Sequence, residues 1–209
     1  MTEPALEPTS TRERIREAAL ELFGEKGYDG ASMNDLAERV GLAKPSLYNY
    51  YRSKEDLLLD LVEEGMRQWD AACMAPFSRP ATFERQLSDH LRLAVEFARL
   101  RPHVVALFQL ATTHVQGELA RRVQGLVEGL EHSIRERVHE QIERSVAAGE
   151  LDAETEDVHV FLGIFFHGLL FLQTNCPHLV GPTNERLDAI WRILFRGLSG
   201  REPLPEVTS

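Results

Sequence analysis

At 209 residues, of which 43% are hydrophobic, the chain is long enough for one or two domains with a substantial core. Its formal net charge of -10 argues against non-specific nucleic-acid binding, because repulsion from phosphate opposes it. Cys73 and Cys176 fit no metal or redox spacing and no signal peptide is recognised, so a reducing, cytoplasmic location is expected.

The first segment of the chain is predicted to be a disordered arm, and a helix follows it. Residues 1–9 hold two prolines and two glutamates, a composition that disfavours packed structure. The helix is predicted to start near Ser10 or Thr11 and to be closed by Gly24 and Gly27. Its apolar residues recur at helical spacing and form one stripe: Ile15, Ala18, Ala19, Leu22 and Phe23.

Residues 32–54 are predicted to form two short helices joined by a tight turn. Ser32 and Asp35 occupy the two positions of a capping box. Gly41 suits the left-handed conformation that ends many helices. Pro45 fits the first turn of the second helix, where its missing N–H costs nothing.

The second of these helices offers a surface that suits a DNA major groove. At about 100° per residue, Pro45 and Asn49 point outward when Leu47 and Tyr51 point toward the core. The outward surface carries a cation, hydroxyls, an amide and aromatic rings and no acid. Amides and hydroxyls are groups that read base edges, so a helix-turn-helix is expected here.

Double-stranded DNA is therefore the predicted partner of this segment. The four charges from Arg39 to Lys54 are all positive although the chain is acidic, so cations are concentrated where phosphates are expected. On the residues alone, a corner that only packs a core remains an alternative. The candidate DNA-binding residues are Ser32, Lys44, Pro45, Ser46, Tyr48, Asn49, Tyr50 and Lys54, with Ser32 and Lys54 expected on phosphates.

A set of residues between positions 12 and 58 carries a more specific signal. The set comprises Ile15, Ala19, Phe23, Gly27, Tyr28, Ser32, Leu36, Ala37, Gly41, Leu42, Lys44, Leu47, Tyr48, Tyr51, Ser53, Lys54 and Glu55. At these positions the chain resembles the TetR/AcrR family of bacterial transcriptional repressors. One departure is Ala43, where the family usually has Ser, so a helix cap worth about 0.5–2 kcal/mol is expected to be lost.

The resemblance implies an all-α protein with an N-terminal three-helix DNA-binding domain and a larger C-terminal helical domain for ligand binding and dimerisation. The predicted divisions are a disordered arm at 1–9, the helix-turn-helix domain at 10–55, the C-terminal domain at 56–200 and a flexible tail at 201–209. The family further implies a repressor that binds a palindromic operator as a homodimer and releases it when a small organic effector binds.

The remainder of the chain is predicted to be helical. A fourth helix runs to about Met74, and the next is capped by Thr82 and ends near Leu100. A long amphipathic helix spans residues 118–148, and Asp152 is predicted to cap its successor. That successor is apolar nearly all round, but its run was expected to be too short and too interrupted by histidine to span a membrane.

Two apolar helices near the C-terminus predict a homodimer. Pairing both with a second copy across a twofold axis covers them in a four-helix bundle, although an ordinary monomeric core is the alternative. The candidate interface residues are Phe161, Phe166, Leu187, Ile190, Trp191, Leu194 and Leu198.

Large or mildly polar side chains in the middle helices are predicted to line an effector cavity. Apolar walls with a few polar groups suit an organic ligand with an apolar body, such as an acyl chain or an aromatic compound. Each of these residues is equally compatible with a plain core position. The candidates are Trp69, Phe97, His103, Phe108, Thr112, Phe165 and His167.

No enzymatic activity, metal or cofactor is expected. The chain has no nucleophile elbow and no Gly-rich phosphate loop. Two Glu-x-x-His spacings, Glu136/His139 and Glu156/His159, match part of the ligand set of di-iron carboxylate bundles. The first pair lies on the polar face of its helix, where a buried metal site is not expected. A helical ligand-binding or metal-dependent enzyme with an incidental helix-turn-helix is the alternative function.

Overall fold

The computed structural model of the chain describes residues 10–113, 115–176, 178 and 184–198, and the regular structure in these residues is helical. The predicted arm at 1–9 and tail at 201–209 lie outside the described residues. The helices are α1 (Thr11–Gly30), α2 (Met33–Val40), α3 (Lys44–Tyr48), α4 (Lys54–Cys73), α5 (Phe83–Leu100), α6 (Pro102–Thr113), α7 (Gly117–Ala147), α8 (Thr155–Asn175) and α9 (Asn184–Leu198), with a 3-10 turn at Ala75–Ser78 between α4 and α5. The all-α prediction is confirmed.

The chain divides into two compact units. Unit 1 comprises Met1–Arg67 and His103–Val127, and unit 2 comprises Gln68–Pro102 and Glu128–Ser209. The boundary expected after residue 55 therefore falls inside unit 1, which also takes in α6 and the beginning of α7. Helix α4 is continuous through the division, with residues 54–67 in unit 1 and 68–73 in unit 2.

Local signals in the sequence set the helix ends of unit 1. The capping box of Ser32 and Asp35 is present at α2, and Gly41 ends that helix in the left-handed region at φ 68°. Gly27 interrupts α1 at φ 70°, which agrees with its predicted closing role. Ala43 precedes α3 without a side-chain hydrogen bond, so the expected loss of that cap is confirmed.

Unit 1 is held by a core in which α1 packs on α2 and α2 on α3. The apolar stripes predicted for α1 and α2 supply buried residues, among them Ile15, Leu22 and Leu36. Helix α4 approaches α6 closely at Gly65, where an added Cβ would lie 2.9 Å from a methyl group of Val104. A larger residue at this position would force α6 away, so glycine is required by the close approach.

Unit 2 is built around an apolar core that α5 shares with α8 and α9. Thr82 caps α5 as predicted, with its hydroxyl accepting from the N–H of Arg85. The predicted cap of α8 by Asp152 is wrong, because α8 begins at Thr155 with Glu154 at the N-cap position and no side-chain cap hydrogen bond. The N–H of Asp152 donates to the Leu198 carbonyl at the end of α9. The core consists of Met74, Phe77, Phe83, Leu87, Val138, Ile142, Leu151, Val158, Leu162, Leu194, Phe195 and Leu198.

Helix α8 is longer and more apolar than was expected. Over Thr155–Gln173 it has a mean hydropathy of 1.4, so by length and composition it is able to cross a membrane, and the expectation that it is too short is wrong. It packs on α5 through Val158, Leu162 and Leu169. Its opposite side is exposed and apolar.

Candidate nucleic-acid interface

Helix α3 is anchored by one side and exposed on the other, as its sequence predicts. Leu47 is fully buried and Tyr51 is 3% exposed, so these two residues fix the inner face. Pro45 and Asn49 are exposed on the opposite side. Tyr48 and Tyr50 are 39% and 41% exposed, so both rings are available for contact with DNA.

Two cations remain exposed around α3: Lys44, which was a predicted DNA-binding residue, and Arg52, which was not. Arg39 is paired with Glu25, so α2 adds little positive potential. Lys44 is exposed, with its Nζ 6.0 Å from the centre of the Tyr48 ring. Arg52 is exposed just beyond α3. Within the described residues neither forms an ion pair, so both are available to DNA phosphates.

Lys54 has a structural position that differs from its predicted role on phosphate. Its ammonium donates to the Tyr28 carbonyl at 2.7 Å and the Ala31 carbonyl at 3.0 Å, and it lies 4.2 Å from the Tyr28 ring centre. These carbonyls belong to the end of α1, so Lys54 ties the start of α4 to that end. Two of its three donors are used inside the protein.

We expect Lys54→Met to destabilise the protein and Lys44→Met to leave stability unchanged. The first substitution removes the Lys54 donor from two part-buried carbonyls, of which the Tyr28 carbonyl keeps the N–H of Ala31, at a cost of roughly 1–3 kcal/mol. The second removes the same charge from an exposed position, where effects stay within about 0.5 kcal/mol. Urea unfolding of both variants measures the difference. Equal stability losses would contradict the structural role of Lys54.

Ser32 is also occupied by contacts within the chain. Its hydroxyl accepts from the N–H of Asp35 and donates to the carboxylate of Asp35 at 2.6 Å. Hydrogen bonds from Ser32 and Lys26 lower the pKa of Asp35 to about 2, so the Asp35 carboxylate of the capping box stays ionised at neutral pH. A phosphate contact from the exposed Ser32 is therefore additional to its capping role and stays a prediction.

A network centred on Asp60 braces the interface, and sequence reasoning did not identify it. The carboxylate accepts two hydrogen bonds from Arg16, at 2.7 and 2.8 Å, and one from the Tyr51 hydroxyl at 2.6 Å. Arg12 in turn donates to the Tyr51 oxygen at 3.3 Å. In the sequence, Arg12 and Arg16 look like part of a charged, solvent-facing side of α1. In the structure they connect α1 to Tyr51, which follows α3, and to Asp60 of α4.

The effector candidates of unit 2 fall partly into one aromatic cluster. Trp69 and Phe97 pack edge to face with ring centres 5.3 Å apart. His90, which was not predicted, lies between Trp69 and Phe166 and its Nδ1 is 2.7 Å from the Cys73 carbonyl. A sequence signal for His90 was available: it lies three residues after Leu87 and four before Ala94, so all three share the buried side of α5.

The other effector candidates lie elsewhere. His103 is exposed and Phe108 packs near Gly65, both in unit 1. Phe165 belongs to unit 2, where it stacks on Phe161. His167 is exposed, with its Nδ1 2.8 Å from the Gly163 carbonyl on its own helix, so it does not face the core. The side chain of Thr112 lies outside the described part of the chain.

We expect acid to destabilise unit 2 through His90. Burial lowers the pKa of this imidazole below the ordinary value of 6.5, although the Cys73 carbonyl partly opposes the shift. Since the unfolded chain binds the proton more readily, the stabilisation is complete above about pH 6.5 and is lost as the pH falls through the folded-state pKa. Urea unfolding between pH 7.5 and 5 should be less pH-dependent in His90→Gln, and equal dependence would contradict this.

The dimer candidates separate into core residues and surface residues. Leu187, Leu194 and Leu198 are 5–7% exposed and largely buried within their own chain, and their place in an interface stays a prediction. Phe166 and Trp191 pack partly against the same core. Four of the candidates, Phe161, Ile190, Leu194 and Leu198, line an open apolar groove. Its other lining residues are Ala153, Asp157, Val158, Phe165, Ile193 and Gly197.

The two Glu-x-x-His spacings meet through their histidines only. His139 Nδ1 lies 3.2 Å from His159 Nε2, which is a hydrogen-bonding distance. Glu136 contacts His132 and Glu156 pairs with Arg135, so both glutamates point to other partners. No group of three or more potential metal ligands occurs within the described residues.

The sequence of the chain matches a known family over the helix-turn-helix. Residues 15–61 match the family described as "Bacterial regulatory proteins, tetR family". The uncharacterized HTH-type transcriptional regulator YezE of Bacillus subtilis is 30% identical over 144 residues, which cover 67% of this chain and 72% of that protein. The fatty acid metabolism regulator protein of the same organism is 26% identical over 152 residues, covering 66% and 78%.

Solved structures resemble the chain over nearly its whole length. The crystal structure of AibR in complex with isovaleryl coenzyme A and operator DNA aligns with a TM-score of 0.72 at 19% identity, covering 89% of this chain and 98% of that one. At this identity the likeness concerns the fold alone.

Proposed function

The chain belongs to the TetR family of bacterial regulatory proteins and is a DNA-binding transcriptional regulator, and we propose that it acts as a homodimeric repressor on a palindromic operator in the cytoplasm. The observation that supports this most directly is the exposed face of α3, where Pro45, Asn49 and two half-exposed tyrosines stand beside Lys44. A protein held on an operator excludes other proteins from the same DNA, so repression is the simplest consequence of binding.

The exposed side of α8 supports the dimer. Ile164 is 70% exposed and Phe171 54% exposed, and Ile193 of α9 is 65% exposed. Large apolar residues clustered on one face usually mark a binding surface. A second copy of the chain with the same face is the occupant that gives two recognition helices and a palindromic target.

The proposed effector is a small organic molecule with an apolar body. In unit 2 the cluster of Trp69, Phe97 and His90 combines aromatic walls with one polar ring. Such a composition suits a ligand of this kind. The relative that regulates fatty acid metabolism and the AibR complex with isovaleryl coenzyme A favour an acyl compound. Because α4 is continuous through both units, ligand contact at Trp69 is proposed to shift its N-terminal half and with it the recognition helices.

Titration with acyl and aromatic compounds tests both steps. The Trp191→Phe variant leaves Trp69 as the single tryptophan, so its fluorescence reports binding. Operator affinity is measured in parallel, with half-sites placed about 34–36 Å apart. Ligands that bind at Trp69 should weaken operator binding. A ligand that binds tightly and leaves operator affinity unchanged would refute the switch, since only differential affinity shifts an equilibrium.

A further inference from the structure

If the protein binds an operator as proposed above, the groups on the outward side of α3 indicate which base pair this helix contacts. Leu47 and Tyr51 are buried and therefore define the inner side of the helix. At about 100° per residue, Pro45 and Asn49 each lie about 160° from Leu47. Asn49 keeps helical backbone angles of φ -71° and ψ -24°, so this count extends to it.

The two most outward residues are thus an amide and an apolar ring. Within the described part of the chain the Asn49 carboxamide forms no hydrogen bond, so its donor and acceptor are both free for DNA. Adenine presents an acceptor and a donor side by side in the major groove, and a carboxamide matches both. Thymine presents a methyl group, which an apolar ring such as that of Pro45 contacts.

The cations around this face do not favour guanine. Guanine is read mainly by arginine or lysine at the floor of the groove. No arginine occurs between Val40 and Tyr51. Lys44 lies about 60° from Leu47 on the flank of the helix, with its Nζ 6.0 Å from the Tyr48 ring centre. Nearby Arg14 donates to the Val40 carbonyl at 3.1 Å and is directed into the protein.

We propose that each operator half-site holds an A·T pair whose adenine is bound by the Asn49 carboxamide, with a thymine methyl against Pro45. Asn49 is then the specificity-determining residue of the recognition helix, whereas Lys44 and Arg52 bind phosphates and set affinity.

Selection from a pool of randomised DNA duplexes tests this assignment with the full-length protein. The wild type should enrich adenine at one position in each half-site. Asn49→Ala should reduce that preference by roughly 5- to 150-fold at this position alone. Asn49→Arg should change the preference there from adenine to guanine. Circular dichroism confirms that the exposed substitutions leave the fold intact.

The matched control is Arg52→Ala. Loss of a phosphate contact should weaken binding to all sequences and lower the salt slope by about 1, with base preferences unchanged. A chemical test complements the variants: 7-deazaadenine at the mapped position removes the N7 acceptor, so it should weaken the wild type and leave Asn49→Ala unaffected.

The outcomes separate this inference from the proposed function. If the wild type enriches no sequence at all, operator binding itself fails. If it enriches a sequence with no preferred adenine in the half-site, or if Asn49→Ala and Asn49→Arg change no single position, the protein still reads DNA but not through Asn49. If Arg52→Ala removes a base preference, Arg52 and not Asn49 carries specificity.

Discussion

Replacing Ile164 by aspartate should convert the protein to monomers and lower its affinity for a two-half-site operator by about 10²–10⁴-fold, because the second half-site then no longer binds intramolecularly. Ile164 is 70% exposed in the centre of the apolar side of α8, next to Phe161. A carboxylate there would be buried without a partner in the proposed dimer, which is strongly unfavourable.

Leu100→Asp is the matched control for this substitution. Leu100 is also apolar and 52% exposed, but it lies at the end of α5. Light scattering should report a dimer for the wild type and for Leu100→Asp, and a monomer for Ile164→Asp. Binding to a single half-site should be equal in all three. An unchanged mass for Ile164→Asp would place the interface elsewhere. Trp191→Glu is a poorer test, because Trp191 packs partly against its own core.

The helix-turn-helix was largely predictable because its signals are local. Ser32 with Asp35, and Gly41, define the ends of α2 by short-range backbone chemistry that no distant residue has to supply. The orientation of α3 was predictable for the same reason. Once Leu47 is placed toward the core, the turn of the helix per residue gives the direction of every neighbouring side chain. The exposed candidates Pro45, Asn49 and Tyr50 followed from that orientation.

The contacts that the sequence did not predict are made with distant parts of the chain. Lys54 was expected on phosphate, but the carbonyls that it binds belong to residues 23 and 26 positions earlier. The sequence around a lysine that contacts phosphate does not differ from that around a lysine that binds carbonyls of its own chain. The N–H of Asp152 likewise donates to the carbonyl of Leu198, far along the chain, while the helix that Asp152 was predicted to cap begins only at Thr155.

The dimer surface could not be assigned because both apolar helices carry more than one apolar stripe. Leu194 and Leu198 of α9 have the regular spacing that was interpreted as an interface, and they form the core of their own unit. Ile193, one position away, is the exposed residue. Hydrophobicity predicts burial, but it does not distinguish burial within a chain from burial against a second copy.

Loss of the Asp60 carboxylate should cost unit 1 more stability than loss of an exposed ion pair, because it accepts hydrogen bonds from Arg16 and Tyr51. Burial raises the pKa of its carboxyl, but hydrogen bonds from Arg16 and Tyr51 outweigh that effect and leave the pKa below its usual value. The stabilisation is therefore complete above the unfolded-state pKa and is lost as the pH falls through the folded-state pKa. In Asp60→Ala the Tyr51 hydroxyl would lose its acceptor, and Arg16 would be left with its ion pair with Glu64 at 3.5 Å.

We expect Asp60→Ala to lower the free energy of unfolding by about 2–3 kcal/mol, which is less than for a fully buried pair because the Asp60 side chain is 21% exposed. Asp89→Ala is the matched control, since its pair with Arg85 is exposed and worth only about 0.2–1 kcal/mol. A double-mutant cycle with Arg16→Ala measures the coupling by urea unfolding. Equal losses in the two aspartate variants, or a coupling energy near zero, would show that Asp60 does not hold α1 to α4.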